Sequence, residues 1–295
     1  MKGLVIINAY PRGEKFYKQG NRIAEELRAL GIETDVVKNG EVYAWIEKDG
    51  GIQNNIAKEY AFAVYLDKDK YLGKMLEKKG MRLFNPASAV EVCDDKMLTY
   101  LALSGKNVPI IQSIPAPLCY TPNAKVDEEF LQRVAENLDF PLVVKQSYGS
   151  FGVGVHLVHG MPELKNIAQE ILHEPHIFQQ YIAQSKGKDV RVMVIGGKTV
   201  AAMKRVAQEG EFRSNIELGG KGKPIDLPAC YAETAEKAAK TIGLDYCGVD
   251  LLFTENGPIV CEVNSNAFFE GLEATTGVNI AKAYAEHIYQ TMIAK

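Results

Sequence analysis

The most constraining feature of this sequence is the stretch 248–264, in which two alternating apolar segments flank a short polar turn that ends at Gly257. This pattern predicts a β-hairpin. Glu262 and Asn264 are two residues apart on the second strand, so their side chains share one face of the sheet. Asp250 on the first strand joins them only if the turn has the right length.

Two turn geometries compete for the register of this hairpin. A two-residue turn sets Asp250 opposite Val263, whereas a three-residue loop with Gly257 in the left-handed conformation sets it opposite Glu262. The three-residue loop places the apolar side chains on one common face, which holds Val249, Leu251, Phe253, Ile259, Cys261 and Val263. A slip of one residue would bury the acidic side chains. We therefore expect the three oxygen-bearing side chains to lie together on the other face.

Two carboxylates that face each other on neighbouring strands repel unless another charge compensates them. Hard divalent cations favour oxygen ligands, and Mg²⁺ is usually held by one or two carboxylates together with substrate phosphates. The hairpin therefore predicts a site for Mg²⁺ or Mn²⁺ formed by Asp250, Glu262 and Asn264. The alternative is a solvated strand face with incidental acidic residues.

A lysine followed by a glycine-rich loop forms a second candidate site. Lys145 ends the apolar segment 141–145, and the loop 147–154 follows directly. Glycines let the backbone approach phosphate oxygens closely. The loop is not a Walker loop, because its lysine precedes the glycines, and a strand rather than a helix follows it, unlike in dinucleotide-binding folds. The alternative is a flexible hairpin loop with a solvated lysine.

Basic residues cluster in the second half of the chain, at Arg191, Lys204, Arg205 and Arg213. Arg213 is followed by two polar residues, Ser214 and Asn215, whose groups could reach phosphate oxygens. Each basic residue alone is more typical of a surface charge. Together, the glycine-rich loop, the cations and the carboxylate hairpin match the requirements of phosphoryl transfer.

Composition narrows the class of protein further. The 295 residues, 46% of them hydrophobic and 24% charged, are typical of a globular protein with room for two domains. A net charge of −3 argues against a nucleic-acid partner. The five cysteines are scattered, which predicts reduced thiols, and no apolar run is long enough for a signal peptide or a membrane span. We expect a cytoplasmic protein without a membrane partner.

The order of predicted elements divides the chain into three parts and indicates an α+β fold. Residues 1–88 read as two strand–helix–strand units, which predicts an N-terminal α/β domain with parallel strands. Residues 89–175 hold predicted helices around the strand that leads into the glycine-rich loop. Residues 176–295 alternate strand pairs with amphipathic helices, which favours an antiparallel sheet that carries the metal site.

Taken in order, these motifs resemble the ATP-grasp superfamily, and within it the RimK-like branch of α-glutamate ligases and their relatives in lysine and cofactor biosynthesis. The resemblance covers residues 90–290. It rests on Asp95-Lys96, the segment 141–154, Gln179-Gln180-Tyr181-Ile182, Asp189-Val190-Arg191, the segment 211–215, Gly248-Val249-Asp250, Glu262-Val263-Asn264 and the segment 271–277.

The resemblance implies that two α+β subdomains clamp ATP, preceded by an N-terminal α/β domain. It implies contacts from Lys145 to the phosphates, from Gln180 and Tyr181 to the adenine, and from Asp189 to the ribose. Further nucleotide contacts would come from Lys96 and from the triphosphate-binding residues Arg213, Ser214 and Asn215. The metal ligands it implies are those of the hairpin, namely Asp250, Glu262 and Asn264.

The activity implied is an ATP-dependent carboxylate–amine ligase that forms an acyl phosphate and adds glutamate or another amino acid to a small molecule or peptide. Arg205, and second Arg213, would stabilise the tetrahedral intermediate. We also expect a homo-oligomer. Phe268 and Phe269 depart from the family pattern and either reshape the acceptor pocket or belong to the core. Alternative functions are a kinase-like ATP-grasp phosphotransferase and a non-catalytic nucleotide-binding module.

Overall fold

The N-terminal part of the protein is a parallel sheet flanked by helices, in a computed structural model that describes residues 1–11 and 13–294. The strand order is β2-β1-β5-β6, with every pairing parallel. This confirms the parallel strand–helix–strand units. The elements are β1 Lys2–Ile7, α1 Glu14–Ala29, β2 Glu33–Lys38, a separate hairpin of β3 Ala44–Ile46 and β4 Ile52–Asn54, β5 Tyr60–Leu66, α2 Lys70–Lys78 and β6 Arg82–Phe84.

The central part contains a second, antiparallel sheet in the order β7-β10-β8-β9. Its strand β8 leads into the glycine-rich loop as predicted, and α6 is a helix that the sequence analysis did not predict. The elements are α3 Ala87–Asp94, α4 Lys96–Leu103, β7 Ser113–Pro115, α5 Glu128–Leu138, β8 Leu142–Gln146, β9 Val155–Val158, α6 Met161–Glu170 and β10 His176–Gln180.

The C-terminal part is built on a five-stranded antiparallel sheet in the order β13-β12-β11-β14-β15. Two short 3₁₀ turns, Ala183–Ser185 and Ile216–Leu218, lie in its connections. The elements are β11 Lys188–Ile195, β12 Lys198–Val206, β13 Lys221–Pro224, α7 Ala229–Ile242, β14 Tyr246–Thr254, β15 Gly257–Asn264, α8 Glu270–Thr276 and α9 Ile280–Ile293. Together the three sheets confirm an α+β fold.

The hairpin β14–β15 pairs Asp250 with Glu262, as predicted, but its turn differs from the prediction. The turn has two residues between Thr254 and Gly257, so the predicted three-residue loop is wrong. A bulge at Cys261 adds the residue that restores the pairing and places this side chain on the wall of a cavity. The buried apolar face therefore holds Val249, Leu251, Val260 and Val263.

The N-terminal sheet and the C-terminal part share one hydrophobic core. Side chains of β1, β5 and α1 pack with those of β11, β12 and α9 in a single buried cluster, whose members include Val5, Ile23, Phe62, Met193, Tyr246, Phe269 and Tyr284. The division at residues 88 and 175 stays a prediction. Strand β10, which begins one residue after the second boundary, is hydrogen-bonded in the central sheet.

Two further findings concern the chain as a whole. All five cysteines are unpaired. Within residues 1–11 and 13–294, every helix is too short or too polar to cross a membrane.

One buried asparagine joins the N-terminal part to the C-terminal sheet. Asn85, which is 1% exposed, donates from Nδ2 to the carbonyls of Tyr246 at 2.7 Å and Ser265 at 2.8 Å. Its Oδ1 accepts from the backbone N–H groups of Asp245 at 2.7 Å and Tyr246 at 2.9 Å. All four hydrogen-bonding positions of the amide are thus filled.

We predict that Asn85→Ala lowers the free energy of unfolding by about 3–5 kcal/mol, because buried backbone groups lose their partners. Urea denaturation would measure the change. The exposed Asn137→Ala serves as the control and should change stability by less than about 0.5 kcal/mol. Equal stability of both variants would contradict this role for Asn85.

Candidate active site

Two adjoining cavities lie over the polar face of the C-terminal sheet. The smaller has about 900 Å³ of empty space and the larger about 2450 Å³. The tip of the glycine-rich loop, Arg205, Asn215 and Glu262 border both of them. Asp67 and Lys68 of the N-terminal part also line the larger cavity. The two cavities therefore meet between all three parts of the chain.

The structure brings the predicted site residues together, although they come from distant segments. The smaller cavity is lined by Lys96, Lys145, Gln180, Tyr181, Asp189, Arg205, Arg213, Ser214, Asn215, Asp250 and Glu262. The remaining predicted metal ligand, Asn264, lines the larger cavity instead. The predicted metal ligands thus lie at the border between the two cavities.

Cross-strand pairing places two pairs of opposite charge and one pair of acids on this face of the sheet. Arg205 on β12 lies opposite Asp189 on β11, Arg191 lies opposite Asp250 on β14, and Asp250 lies opposite Glu262 on β15. Arg205 donates from Nε to Asp189 at 2.7 Å, and its Nη2 is 2.9 Å from Asp250. Arg191 contacts Asp250 through Nε and through Nη2 at 2.8 Å. One buried carboxylate therefore lies between two guanidinium groups.

Gly248 allows this arrangement by lacking a side chain. A Cβ atom at Gly248 would lie 2.9 Å from Cδ of Arg191 and 2.7 Å from Cβ of Ala267. Real Cβ atoms do not approach other atoms this closely, so a larger residue would force Ala267 or Arg191 to shift.

The arginines control the electrostatics of the buried acid. Asp250 is 3% exposed, and burial alone would raise its pKa, but Arg191 and Arg205 hold the pKa below its usual value. Burial likewise opposes the charge of Arg205, whereas Asp250 and Asp189 hold its pKa well above the usual range. Two arginines thus already compensate the charge of Asp250, and its assignment as a metal ligand stays a prediction.

Glu262 and Asn264 retain the features of metal ligands. Glu262 is half-buried and makes no hydrogen bond or ion pair with the described residues. Asn264 has only a long contact of 3.5 Å, from Nδ2 to Asp250. A carboxylate and an amide oxygen suit a hard cation that also binds phosphates. In the part of the chain that the structure covers, no cluster of three or more histidine, cysteine or acidic residues forms a complete metal cage.

Two lysines border the smaller cavity from different elements. Lys145 donates to Oε1 of Gln179 at 2.6 Å and lies 3.7 Å from Sγ of Cys261. Lys96 begins α4, and its Nζ is 3.4 Å from the carbonyl of Gly149. Burial lowers the pKa of Lys96, the charge of Lys145 adds to this effect and Glu262 opposes it. Both lysines can therefore contribute positive charge where a phosphate would bind.

The glycine-rich loop 147–154 is held against the segment 211–220. Nη1 of Arg213 donates to the carbonyl of Gly152 at 2.7 Å, while its Nη2 donates to Glu211 at 2.8 Å. The hydrogen bonds from Arg213 lower the pKa of Glu211 to about 2. Gly152 has a positive φ of 74°, and a Cβ there would lie 3.1 Å from Leu218. The loop thus forms a wall of both cavities.

The smaller cavity also has apolar walls that suit a planar base. They come from Ile111, Val143, Val155, Ile182 and Leu252. The Tyr181 hydroxyl is buried without a hydrogen-bond partner among the described residues, and burial raises its pKa. The side chain of Gln180 is exposed. Cationic groups and apolar walls in one cavity are the combination that a nucleotide requires.

Several residues that line the larger cavity carry no signal of this role in the sequence. Arg191 belonged to a basic cluster and to a family motif but had no assigned role, since its position opposite Asp250 depends on strand pairing. Lys15 and Lys68 come from the N-terminal part, where no motif marked them. Of the phenylalanine pair, Phe268 lines the larger cavity, whereas Phe269 is 3% exposed and belongs to the core.

One family model and several known proteins are similar to this chain in sequence. The family model for the RimK-like ATP-grasp domain matches residues 94–288. A probable alpha-L-glutamate ligase of Thioalkalivibrio sulfidiphilus is 37% identical over 74% of this chain and 70% of its own length. Human beta-citrylglutamate synthase B is 35% identical over 76% of this chain and 57% of its own length. The chain thus spans little more than half of that human relative.

Solved structures share the fold at low sequence identity. A RimK domain ATP-grasp protein from Sphaerobacter thermophilus superposes with a TM-score of 0.72 at 18% identity, covering 97% of this chain and 99% of its own. The D-alanine–D-alanine ligase of Bacillus anthracis complexed with ATP gives 0.72 at 19% identity, covering 100% of this chain and 98% of its own. These structures establish the ATP-grasp fold. On the family match and the sequence relatives together, the chain belongs to the RimK-like ATP-grasp family.

Proposed function

We propose that the protein is an ATP- and Mg²⁺-dependent ligase that joins a carboxylate to an amine through an acyl phosphate. The observation that carries this proposal is the junction of the two cavities, where Arg205 and Glu262 border both. A nucleotide in the smaller cavity and an organic substrate in the larger one would meet there. Relatives named as ligases and synthases support the same reaction class.

In the first step, a carboxylate oxygen of the substrate attacks the γ-phosphorus of ATP, and ADP leaves. Lys145, Lys96 and Arg213 supply positive charge around the smaller cavity. Glu262 and Asn264 would hold Mg²⁺, which offsets charge on the transferred phosphoryl group. Asp250 fits a metal less well, because its oxygens already accept from two arginines.

In the second step, the amine attacks the acyl carbon, phosphate leaves, and the nitrogen loses a proton. Arg205 is our candidate for stabilising the tetrahedral intermediate. Its Nε and Nη2 bind the two aspartates, whereas its Nη1 has no partner among the residues described. Since the aspartates fix the guanidinium plane, Nη1 is a preorganised donor at the junction of the cavities. Arg213, which binds the loop carbonyl of Gly152, is the second candidate.

We infer that the amine is an amino acid such as glutamate and that the acceptor is a small molecule or peptide. The size of the larger cavity, about 2450 Å³, is compatible with either acceptor. Names of relatives, including an alpha-L-glutamate ligase and a beta-citrylglutamate synthase, support an amino-acid substrate.

A screen of amino acids and amines against candidate carboxylates, read out by phosphate release, tests the function. We expect release that depends on both added substrates, with an equimolar amide detected by mass spectrometry. Phosphate transfer to a substrate without any amide would instead indicate a kinase-like phosphotransferase. Nucleotide binding without turnover across the screen would indicate a non-catalytic module.

We predict that Glu262→Gln reduces ATP turnover by roughly 100-fold or more, because it removes the unpaired carboxylate at the junction. The melting temperature without nucleotide should stay unchanged, since Glu262 has no partner in the described chain. Glu255→Gln, in the exposed turn of the same hairpin, is the control and should retain full turnover. Near-normal turnover of Glu262→Gln would refute the metal assignment.

We predict a different result for Asp250→Asn, which leaves the buried Arg205 and the half-buried Arg191 without their shared carboxylate. The free energy of unfolding should fall by about 3–5 kcal/mol, the typical cost of breaking a buried ion pair on one side. Urea denaturation would measure it against Asp226→Asn, an exposed position on the same part of the chain. Equal free energies of unfolding for Asp250→Asn and the wild type would show that the ion pairs of Asp250 do not stabilise the fold.

A further inference from the structure

An aromatic and cationic cluster connects the tip of the glycine-rich loop to the far wall of the larger cavity. The Nζ atom of Lys15 lies 3.8 Å from the ring centroid of Phe151 and 4.6 Å from that of Phe268. The two rings are 6.2 Å apart. Phe16 packs edge-on against Phe268 at 5.0 Å. The ammonium group thus lies over two rings from different parts of the chain.

The members of this cluster come from all three sides of the junction. Lys15 and Phe16 belong to α1 of the N-terminal part, and Phe268 follows β15, the second strand of the hairpin β14–β15. Phe151 lies in the glycine-rich loop with a φ of 63°, in the left-handed region that side chains rarely adopt. This conformation is unfavourable by itself and needs support from surrounding contacts.

The neighbours of Phe151 in the loop have anchors of their own. Ser150 accepts from Nζ of Lys68 at 3.3 Å, and Lys68 forms an ion pair with Asp94 at 2.7 Å. On the other side, Gly152 accepts from Arg213. The tip of the loop is therefore held at three successive residues by groups outside the loop, and the contact at Phe151 joins it to Phe268 on the wall of the larger cavity.

We propose that Lys15, Phe151 and Phe268 form a latch that holds the glycine-rich loop closed over the junction of the two cavities. Lys15 and Phe268 are positioning residues: they act on the reaction through the loop. The latch rests on the proposed ligase function, which it deepens by naming the residues that keep the activated carboxylate away from water.

The chemistry explains why such a latch matters. An acyl phosphate is consumed productively when the amine nitrogen bonds to the acyl carbon and phosphate leaves. If water attacks instead, its oxygen bonds to the acyl carbon, phosphate leaves, and the original carboxylic acid is regenerated with loss of one ATP. A loop closed over the junction excludes water during the interval between the two steps.

Hydrogen exchange tests the latch without knowledge of the substrates. With Mg²⁺ and a non-hydrolysable ATP analogue bound, we expect backbone amides of residues 147–154 to exchange roughly fivefold faster in Lys15→Met and in Phe268→Leu than in the wild type. Lys15→Arg should restore protection, because a guanidinium also binds aromatic faces. Lys18→Met, an exposed position on the same helix, is the matched control and should match the wild type.

A second measurement uses the substrate pair identified by the screen. In the latch variants, phosphate released should exceed amide formed, whereas the wild type and Lys18→Met stay near equimolar. Two results would overturn the latch proposal. One is wild-type exchange rates for residues 147–154 in both folded variants, and the other is equal amounts of phosphate and amide from those variants. Failure of the wild type to form any amide would refute the ligase function instead, and the exchange result would still decide whether these residues hold the loop.

Discussion

The candidate site depends on the ion pairs that Asp250 makes with Arg191 and Arg205. Burying charged groups costs several kcal/mol for each ion, and only good geometry with full hydrogen bonding offsets that cost. Antiparallel pairing provides the geometry, since Arg191 lies directly opposite Asp250 and Arg205 lies opposite Asp189. A shift of one residue in any of these strands would move a charged side chain to the apolar face of the sheet. The ion pairs of Asp250 therefore require one particular register of the strands.

This arrangement separates structural charges from available ones. Asp250 and Asp189 are occupied by arginines, whereas Glu262 and Nη1 of Arg205 have no partner in the described chain. The occupied groups fix the positions of the available ones, which border both cavities. A site that must bind charged substrates needs both kinds of group, because a rigid surrounding aligns donors and ligands before the substrate arrives.

The N-terminal part contributes side chains to the larger cavity. Its sheet shares a core with the C-terminal part, and Asn85 ties the two together with four hydrogen bonds. This rigid attachment brings Lys15 and Lys68 to the glycine-rich loop. The same loop carries the carbonyl that Arg213 binds. The loop borders both cavities, so in the proposed reaction one segment would close over both the nucleotide and the acceptor.

Much of this protein could be predicted from local patterns. The parallel strand–helix–strand units and the strand before the glycine-rich loop follow from apolar periodicity and turn residues, which act over a few positions. The pairing of Asp250 with Glu262 follows from keeping acidic side chains off an apolar face. Turn length did not follow, because a two-residue turn with a bulge gives the same pairing as a three-residue loop.

The sequence by itself thus determined the family, the α+β architecture and the residues that gather around the smaller cavity. Only the tertiary structure decided which charges neutralise one another and which remain available, because strand order places Arg191 beside Asp250 across 59 residues of chain. The position of Lys15 over Phe151 and Phe268 likewise had no local signal. Periodicity records which side of an element faces the core, whereas contacts between distant elements depend on how the sheets pack.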